Sequence, residues 1–347
     1  MTQFTLLATL RDESPYIIDW IAHHRAIGIT QFVLYQNDSV DGTTQLLQTL
    51  HDAGEILFID NTNPADALPK FQDLPPQRRA YGRALRNRSV QNSDYILVID
   101  ADEYLELPVD GDLPTMLRRL NHPDVVSMPW RMMGSSGQTE FAPDPVTHRF
   151  DKAAAPDDLG TLRPFKQVKS LYRPAITRFY NLHMPRAFRD EVSWVDPNGA
   201  PILKKMMNGN QLPQFPFDSA NLRHYHVKSY PEFCVKIVRG YACSPNEKRF
   251  QLGAKIFDPM NPNTVSLPLP KPLATRSAEI ATHIRQNPKI ADIESHAIAS
   301  FIKLTHLCQA AVDSHDILPT ITRRNRLSDS LQTYFEDTVW SKMRTSP

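Results

Sequence analysis

The segment Asp94-Tyr95-Ile96-Leu97-Val98-Ile99 carries five apolar residues in a row and runs directly into Asp100-Ala101-Asp102-Glu103. So short an apolar run, bounded by acids, suits a strand buried on both faces, the kind found inside a parallel sheet covered by helices. Such sheets present ligands just beyond the carboxyl ends of their strands, so chemistry is expected where this one stops. Side chains alternate along extended backbone, which predicts Asp100 and Asp102 on one side and Ala101 on the other. Two carboxylates so placed can share a hard divalent cation, because leaving them buried and uncompensated is costly. A bare D-x-D is more often an acidic turn after a strand.

The preceding sequence supplies the setting. Residues 4–10 read as a first strand. Ser14-Pro15 offers an N-cap and a first-turn proline, and Ile17, Trp20, Ile21, His24 and Ile27 follow at helical spacing until Gly28. A second strand is predicted over 29–35, a helix over 43–53 ending at Gly54, and a third strand over 56–59. Strand, helix, strand, helix, strand argues for a parallel sheet flanked by helices. A basic helix over 76–89 leads to the strand ending at Ile99.

Beyond Asp102 the pattern loosens. Residues 125–130 predict a strand, Gly134-Ser135-Ser136-Gly137 a polar loop, and Ser229-Tyr230-Pro231-Glu232 a capping box opening a helix to about Arg239. Residues 258–272 are proline-rich and read as an extended crossing segment, and 277–342 as helices, including 327–340. The expected division is an α/β domain over 1–240, then the crossing segment and a helical extension over 241–347.

The 347 residues hold 39 lysines and arginines against 38 acids, so no global field draws this chain to nucleic acid. Cys234, Cys243 and Cys308 lack metal-ligand spacing, and three is an odd number; this fits a reducing compartment better than a disulfide framework. The first ten residues lack a basic region followed by a long apolar stretch, and no apolar run approaches the roughly 18 residues of a bilayer span. The expectation is a cytoplasmic protein whose membrane contact is at most peripheral, at the inner face.

Arg11-Asp12-Glu13 follows strand one, residues 37–43 follow strand two, and Gly82 to Asn87 precede the strand ending at Ile99, which places all three on one edge of the sheet. With them in order stand Leu7-Ala8-Thr9-Leu10, Ser14-Pro15-Tyr16, Asp19-Trp20, His24-Arg25, Asn37-Asp38-Ser39, Asp41-Gly42-Thr43, Arg86-Asn87 and Asp100-Ala101-Asp102-Glu103-Tyr104-Leu105. Gly134 to Gly137, Arg149-Phe150, Lys169-Ser170, His183-Met184-Pro185, His224-Tyr225 and Lys228-Ser229 complete the series. Over about residues 4–240 this combination resembles the glycosyltransferase family 2 superfamily, in the bacterial branch related to family 92. The resemblance implies the GT-A fold of nucleotide-diphospho-sugar transferases, with a mainly parallel sheet flanked by helices.

It also implies transfer of a hexose from a nucleotide-sugar, usually a UDP-sugar, with Mn2+ or Mg2+ bridging the diphosphate. Carried onto this sequence, Asp102 would touch the metal, Asp100 would lie nearer the ribose or act through water, and Asn37 or Asp38 would face the base. Arg11 and Glu13 would line the nucleotide pocket, Arg86 would lie near the donor, and the late histidine ligand would be His224, with His183 next. His224 reads equally as a hydrogen-bonded structural histidine. The chain departs from the family pattern at Asp12, where Asn is usual, and at Gln138, where His is frequent.

The chemistry agrees on independent grounds. A departing nucleoside diphosphate develops charge on a phosphate oxygen, which a bound Mg or Mn ion can stabilise as a Lewis acid; a histidine ligand favours Mn. Lys228, Lys236 and Arg239 can offer positive charge to the diphosphate, or can form an exposed basic face. Trp130 reads as an acceptor-stacking ring or as a half-buried strand residue. Inverting transfer needs a base beside the acceptor hydroxyl. Asp190-Glu191 stand at a spacing from the D-x-D like that of other GT-A enzymes and are favoured over Asp144 and Glu140. The expected acceptor is a glycan, a polysaccharide or a glycolipid. The rival readings are a nucleotidyltransferase, which would need a glycine-rich triphosphate loop not found near the N-terminus, and a catalytically silent nucleotide-sugar-binding module.

Overall fold

The computed structural model describes residues 2–156, 167–185, 191–203, 212, 214–240, 257–314 and 336–344. Strand β1 (Phe4–Leu10) is buried along its whole length, as an unbroken apolar run requires. After a turn of 3-10 helix at Ser14–Tyr16 come α1 (Ile17–Ala26), β2 (Gln31–Gln36), α2 (Thr43–Asp52) and β3 (Leu57–Asp60). β1 pairs in parallel with β2, β2 with β3, and β1 on its other side with β4 (Tyr95–Val98).

The basic helix is divided. After the one-turn α3 (Pro69–Gln72), α4 spans Pro76–Ala84 and a separate turn, α5, spans Arg88–Gln91. Asn87 is extended and its Oδ1 accepts from Ser89 N at 2.9 Å, so its side chain caps a new helix where a continuous one was expected.

The second half of the sheet is mixed. β5 (Glu103–Glu106), α6 (Leu113–Arg119), β6 (Val125–Met132), α7 (Val146–Arg149), β7 (Lys152–Ala153), β8 (Val168–Tyr172), β9 (Trp194–Val195) and β10 (Asn221–His224) follow. The main sheet runs β3-β2-β1-β4-β8-β6-β10-β5, with β9 added beside β6. β8 is antiparallel to both β4 and β6, β10 is parallel to β6 and antiparallel to β5. The architecture is mixed α/β, with a largely parallel sheet and flanking helices.

Alternation along the strands sorts two cores. Phe4, Leu6, Ala8 and Leu10 of β1, with Tyr95 and Leu97 of β4, meet Trp20 and Ile21 of α1 and Leu46, Leu47 and Leu50 of α2. Leu7, Ile96 and Val98 point the other way, onto Ala80 and Ala84 of α4 and Val90 of α5.

α8 (Tyr230–Arg239) opens on the expected capping box: Ser229 N and Oγ both donate to Glu232 Oε2. The crossing segment includes β11 (Val265–Ser266), antiparallel to β7. Its Asn261 and Asn263 side chains accept from Ser135 N and Ser136 N at 2.6 and 2.7 Å. That approach needs glycine at 134, since a Cβ there would stand 2.0 Å from Pro262 O. α9 (Lys271–Arg285) packs along α1, and α10 (Pro288–Ser314) packs on α8 and α2. Ala297 of α10 rests on Gly42, whose left-handed backbone (φ 91°) and 2.8 Å clearance leave no room for a side chain. The expected helix over 327–340 falls mostly outside the described residues, of which Glu336–Trp340 forms a helical turn. Among the described residues no helix is long and apolar enough to cross a membrane.

Candidate active site

The polar loops after β1, β2 and β4 meet the end of β10 and the start of α8 at one edge of the sheet. The D-x-D does not continue β4. That strand ends at Val98, and Glu103 N donates to Asp100 O at 3.1 Å, closing a turn over Asp100 to Glu103. Strand alternation therefore does not extend to these residues, and the two carboxylates take different partners.

Asp100 faces β8 and α4. Its Oδ2 accepts from Lys169 Nζ at 3.0 Å and its Oδ1 from Gln77 Nε2 at 3.0 Å. Lys169 is fully buried and lies 3.1 Å from Glu103 Oε2 as well. Burial alone would lower its pKa, but Asp100 and Glu103 outweigh burial and push it up. Glu103 is buried too, and its carboxyl is pushed up to about 8, first by burial and then by the charges of Asp100 and Asp102, against the pull of Lys169.

Asp102 faces β10 and α8. Lys236 Nζ donates to its Oδ2 at 2.5 Å, and His224 Nε2 lies 3.5 Å from the same oxygen. Burial would raise this carboxyl, but Lys236, His224 and Lys228 hold it well below the usual carboxylate range. His226 joins them: the ligand atoms of Asp102, His224 and His226 all lie within 4.8 Å of one another. Burial lowers both histidines, so they are neutral imidazoles with a lone pair to give, and among the described residues His224 Nδ1 is buried without a partner. One carboxylate and two neutral imidazoles fit a divalent cation; two nitrogen donors favour Mn over Mg, which prefers oxygen and keeps its waters.

Positive charge surrounds this cluster. Lys228 is buried with its Nζ 4.4 Å from the Tyr16 ring centroid, and Arg239 pairs with Glu13 Oε1 at 2.5 Å while donating to Arg11 O and Asp12 O. Arg11 lies beside Asp12 at 3.6 Å and over the Trp340 ring at 5.3 Å. Asp12 is buried, and its carboxyl is pushed up to about 7 by burial and by Asp41. Its Oδ1 accepts from Val40 N at 2.8 Å, so Asp12 locks the first loop to the second. Three non-glycine residues of this edge, Asp12, Asp38 and Lys228, have left-handed backbone at φ 50°, 54° and 54°. Such local strain gathers at functional sites.

The remaining candidates scatter. Asn37 is buried, with no partner for its Oδ1 among the described residues, while Asp38 is exposed. Arg86 is exposed in the turn between α4 and α5. Asp144 and Glu140 are exposed, and Arg149 NH2 donates to the Glu140 backbone. Asp190 and Cys243 lie outside the described residues, and Glu191 is exposed. Trp130 is 9% exposed, its ring 4.2 Å from that of His224 and 5.3 Å from that of His183, so two histidines cover it where an acceptor sugar was considered. His183 Nδ1 donates to Val168 O at 3.0 Å, and burial, then Lys169, lowers its pKa to about 4, so the ring is neutral with Nε2 unprotonated.

Sequence reasoning missed Glu103 as a buried acid, Gln77, and Lys169 as the partner of Asp100. His226 was in reach, because it flanks Tyr225 together with His224, which the sequence already singles out. An open cleft of about 560 Å3 lies at the other end of the strands around Gln3, Thr30 and Leu57, away from all of these groups.

A glycosyltransferase family 92 protein of Oryza sativa subsp. japonica is 26% identical over 170 residues, covering 48% of this chain and 26% of the rice protein, so the chain spans about a quarter of that relative's length. Among solved structures, S. aureus TarS 1–349 in complex with UDP-GlcNAc is similar at 17% identity, over 50% of this chain and 46% of that one, with a TM-score of 0.30. TarS 1–349 without a named ligand is similar at 14% identity, over 97% and 91% of the two chains, with a TM-score of 0.32. The profile of glycosyltransferase family 92 matches residues 7–251, a span that holds Asp102, His224, His226 and the basic groups around them, and the chain belongs to glycosyltransferase family 92.

Proposed function

We propose that this chain transfers a hexose from a nucleoside-diphosphate sugar, a UDP-sugar, to a hydroxyl of a glycan, polysaccharide or glycolipid acceptor, with inversion. The observation that carries the reading is the convergence of Asp102, His224 and His226 with Lys228, Lys236 and Arg239 at the sheet edge. A metal-competent cluster inside a positively charged surround suits a diphosphate, whose negative charge neither part would tolerate alone. Asp102, His224 and His226 would hold Mn2+ or Mg2+, which when bound supplies Lewis-acid stabilisation of the leaving diphosphate. Lys228 is placed to bind phosphate oxygens, with Arg239 beside it held by Glu13 and the Arg11 and Asp12 carbonyls, and Asn37 Oδ1, buried and without a partner among the described residues, suits a donor group of the base.

The acceptor hydroxyl must give up its proton as the new bond forms. His183 Nε2 has the tautomer and the neutral state to receive it, with Nδ1 fixed on Val168 O. Asp190 and Glu191 remain the acidic alternative.

The test is calorimetric titration of UDP, GDP and CDP, with and without Mn2+, into wild type and Asp102→Ala. Mn-dependent binding of UDP that weakens at least about 100-fold in the variant is expected, given charge-assisted contacts of this kind. An Asp102→Ala protein that kept donor binding, metal dependence and transfer would sink the proposal.

A further inference from the structure

Lys236 occupies the ground on which a cation would be held. Its Nζ lies 2.5 Å from Asp102 Oδ2 and 3.0 Å from His226 Nδ1, with a third contact to His226 O at 3.1 Å. Asp102 and His226 are two of the three converging ligands. An ion bound through Oδ2 and Nδ1 and the ammonium that bridges them claim the same lone pairs. Two cations packed there would also repel strongly in so buried a setting.

We propose that Lys236 is a tethered placeholder for the metal: ammonium and divalent ion exclude one another on Asp102 and His226, and metal binding expels the lysine. The inference takes the metal cluster of the proposed function as its starting point. Expulsion needs only a side-chain movement. α8 is fixed by its capping box and its packing on α10, while the lysine stem is flexible and its side chain is 12% exposed. The placeholder explains how a deeply buried carboxylate persists without metal, since the ammonium neutralises it.

It also couples metal to nucleotide. A divalent ion that takes Asp102 from Lys236 leaves the freed ammonium, Lys228 and the Glu13-paired Arg239 around it, an excess of positive charge unless an anion arrives with it. A nucleoside diphosphate is such an anion, and the freed ammonium would then have phosphate oxygens to bind.

The experiment is titration of the full chain with Mn2+, read by the electron paramagnetic resonance of the free ion, for wild type, Lys236→Met, Lys236→Gln and Lys236→Arg, each with and without UDP. Without nucleotide, Lys236→Met and Lys236→Gln should bind Mn2+ at least tenfold more tightly than wild type, and Lys236→Arg should stay weak. UDP should strengthen Mn2+ binding more in wild type than in the neutral variants. Melting supplies a second reading: Mn2+ should raise the Tm of Lys236→Gln by several degrees more than that of wild type. Mn2+ affinity in both neutral variants equal to or below that of wild type, or no Mn2+ binding in any variant, overturns the placeholder. Tighter Mn2+ in the neutral variants with no UDP binding anywhere would support the placeholder while removing the donor assignment.

Discussion

Two carboxylates separated by one residue each hold a lysine, and the two lysines differ in kind. Lys169 lies on a central strand, has no exposure, and is bonded to Asp100 and Glu103 at 3.0 and 3.1 Å. Lys236 lies on a helix at the margin, is 12% exposed at its side chain, and shares its ligands with two neutral imidazoles. A lysine walled in by its own acids serves as a fixture of the sheet. A lysine that competes for metal ligands and can reach solvent serves as a removable counter-charge. The difference arises because the D-x-D sits in a turn, which aims Asp100 at β8 and Asp102 at β10 and α8.

The largest expected effect breaks the equivalence directly. Lys169→Met leaves Asp100 and Glu103 facing one another beneath the site, and removing one member of a buried ion pair typically costs about 3–5 kcal/mol. Lys236→Met, in excess Mn2+, should cost less than about 1 kcal/mol, because the ion takes the place of the ammonium. Urea unfolding of both variants at pH 7 with Mn2+ checks this, and equal losses would show that both lysines are structural.

This contrast marks how far the sequence could be read. β1 was legible over its full extent, and α1, β2, α2 and β3 to within two residues, because apolar periodicity, prolines and terminal glycines specify them locally. β5, β8 and β10 were not read as strands, yet they carry Glu103, Lys169 and His224. Lys169, Arg223 and His224 are buried polar residues, so their strands lack the apolar signature on which such reading depends. Arg223 is satisfied by Glu106 at 2.8 Å and by Leu267 O and Pro268 O of the crossing segment, partners more than 40 residues away. Only the assembled sheet makes such burial tolerable. Asp102 and His224 were singled out together through resemblance, and the fold brings them within 3.5 Å of one another, whereas the place of Lys236 beside them depends on the register of α8 against β10.

A second prediction concerns the wall between the two regions, where Trp130 lies against both His183 and His224. If the proton goes to His183, His183→Gln should lower kcat by about 100-fold, a usual contribution of a general base, with KM for the donor changed less than about threefold. Glu191→Gln should then leave kcat within about threefold, since that side chain is exposed. The reverse pattern would assign the base to the acidic segment. A bell-shaped profile whose acid limb disappears in His183→Gln would sharpen the assignment beyond a structural role.

The smallest effect separates the two regions by pH. Glu103 has a folded pKa raised to about 8, so its contribution to stability is fully present below the ordinary glutamate value near 4.5 and is lost as pH rises through about 8. Asp12, raised to about 7, loses its contribution over a similar window beginning near 3.8. Asp102 is depressed, so its contribution is present above 3.8 and is lost only as the medium becomes strongly acidic. The fall in stability from mildly acidic pH up to about pH 8 therefore belongs in part to Glu103 and Asp12, and part of the loss in strong acid to Asp102. Glu103→Gln keeps a hydrogen-bonding side chain of the same shape without the ionisation. It should flatten the decline between about pH 6 and 8 by on the order of 2 kcal/mol, leaving the acid flank in place. Asp102→Asn should do the opposite, softening the acid flank alone. Chemical denaturation at unit pH steps in EDTA measures both. A Glu103→Gln curve that kept the full wild-type decline up to pH 8 would mean that Glu103 is already ionised beside Lys169, and the Asp100 region would then be a charged triad with no protonated member.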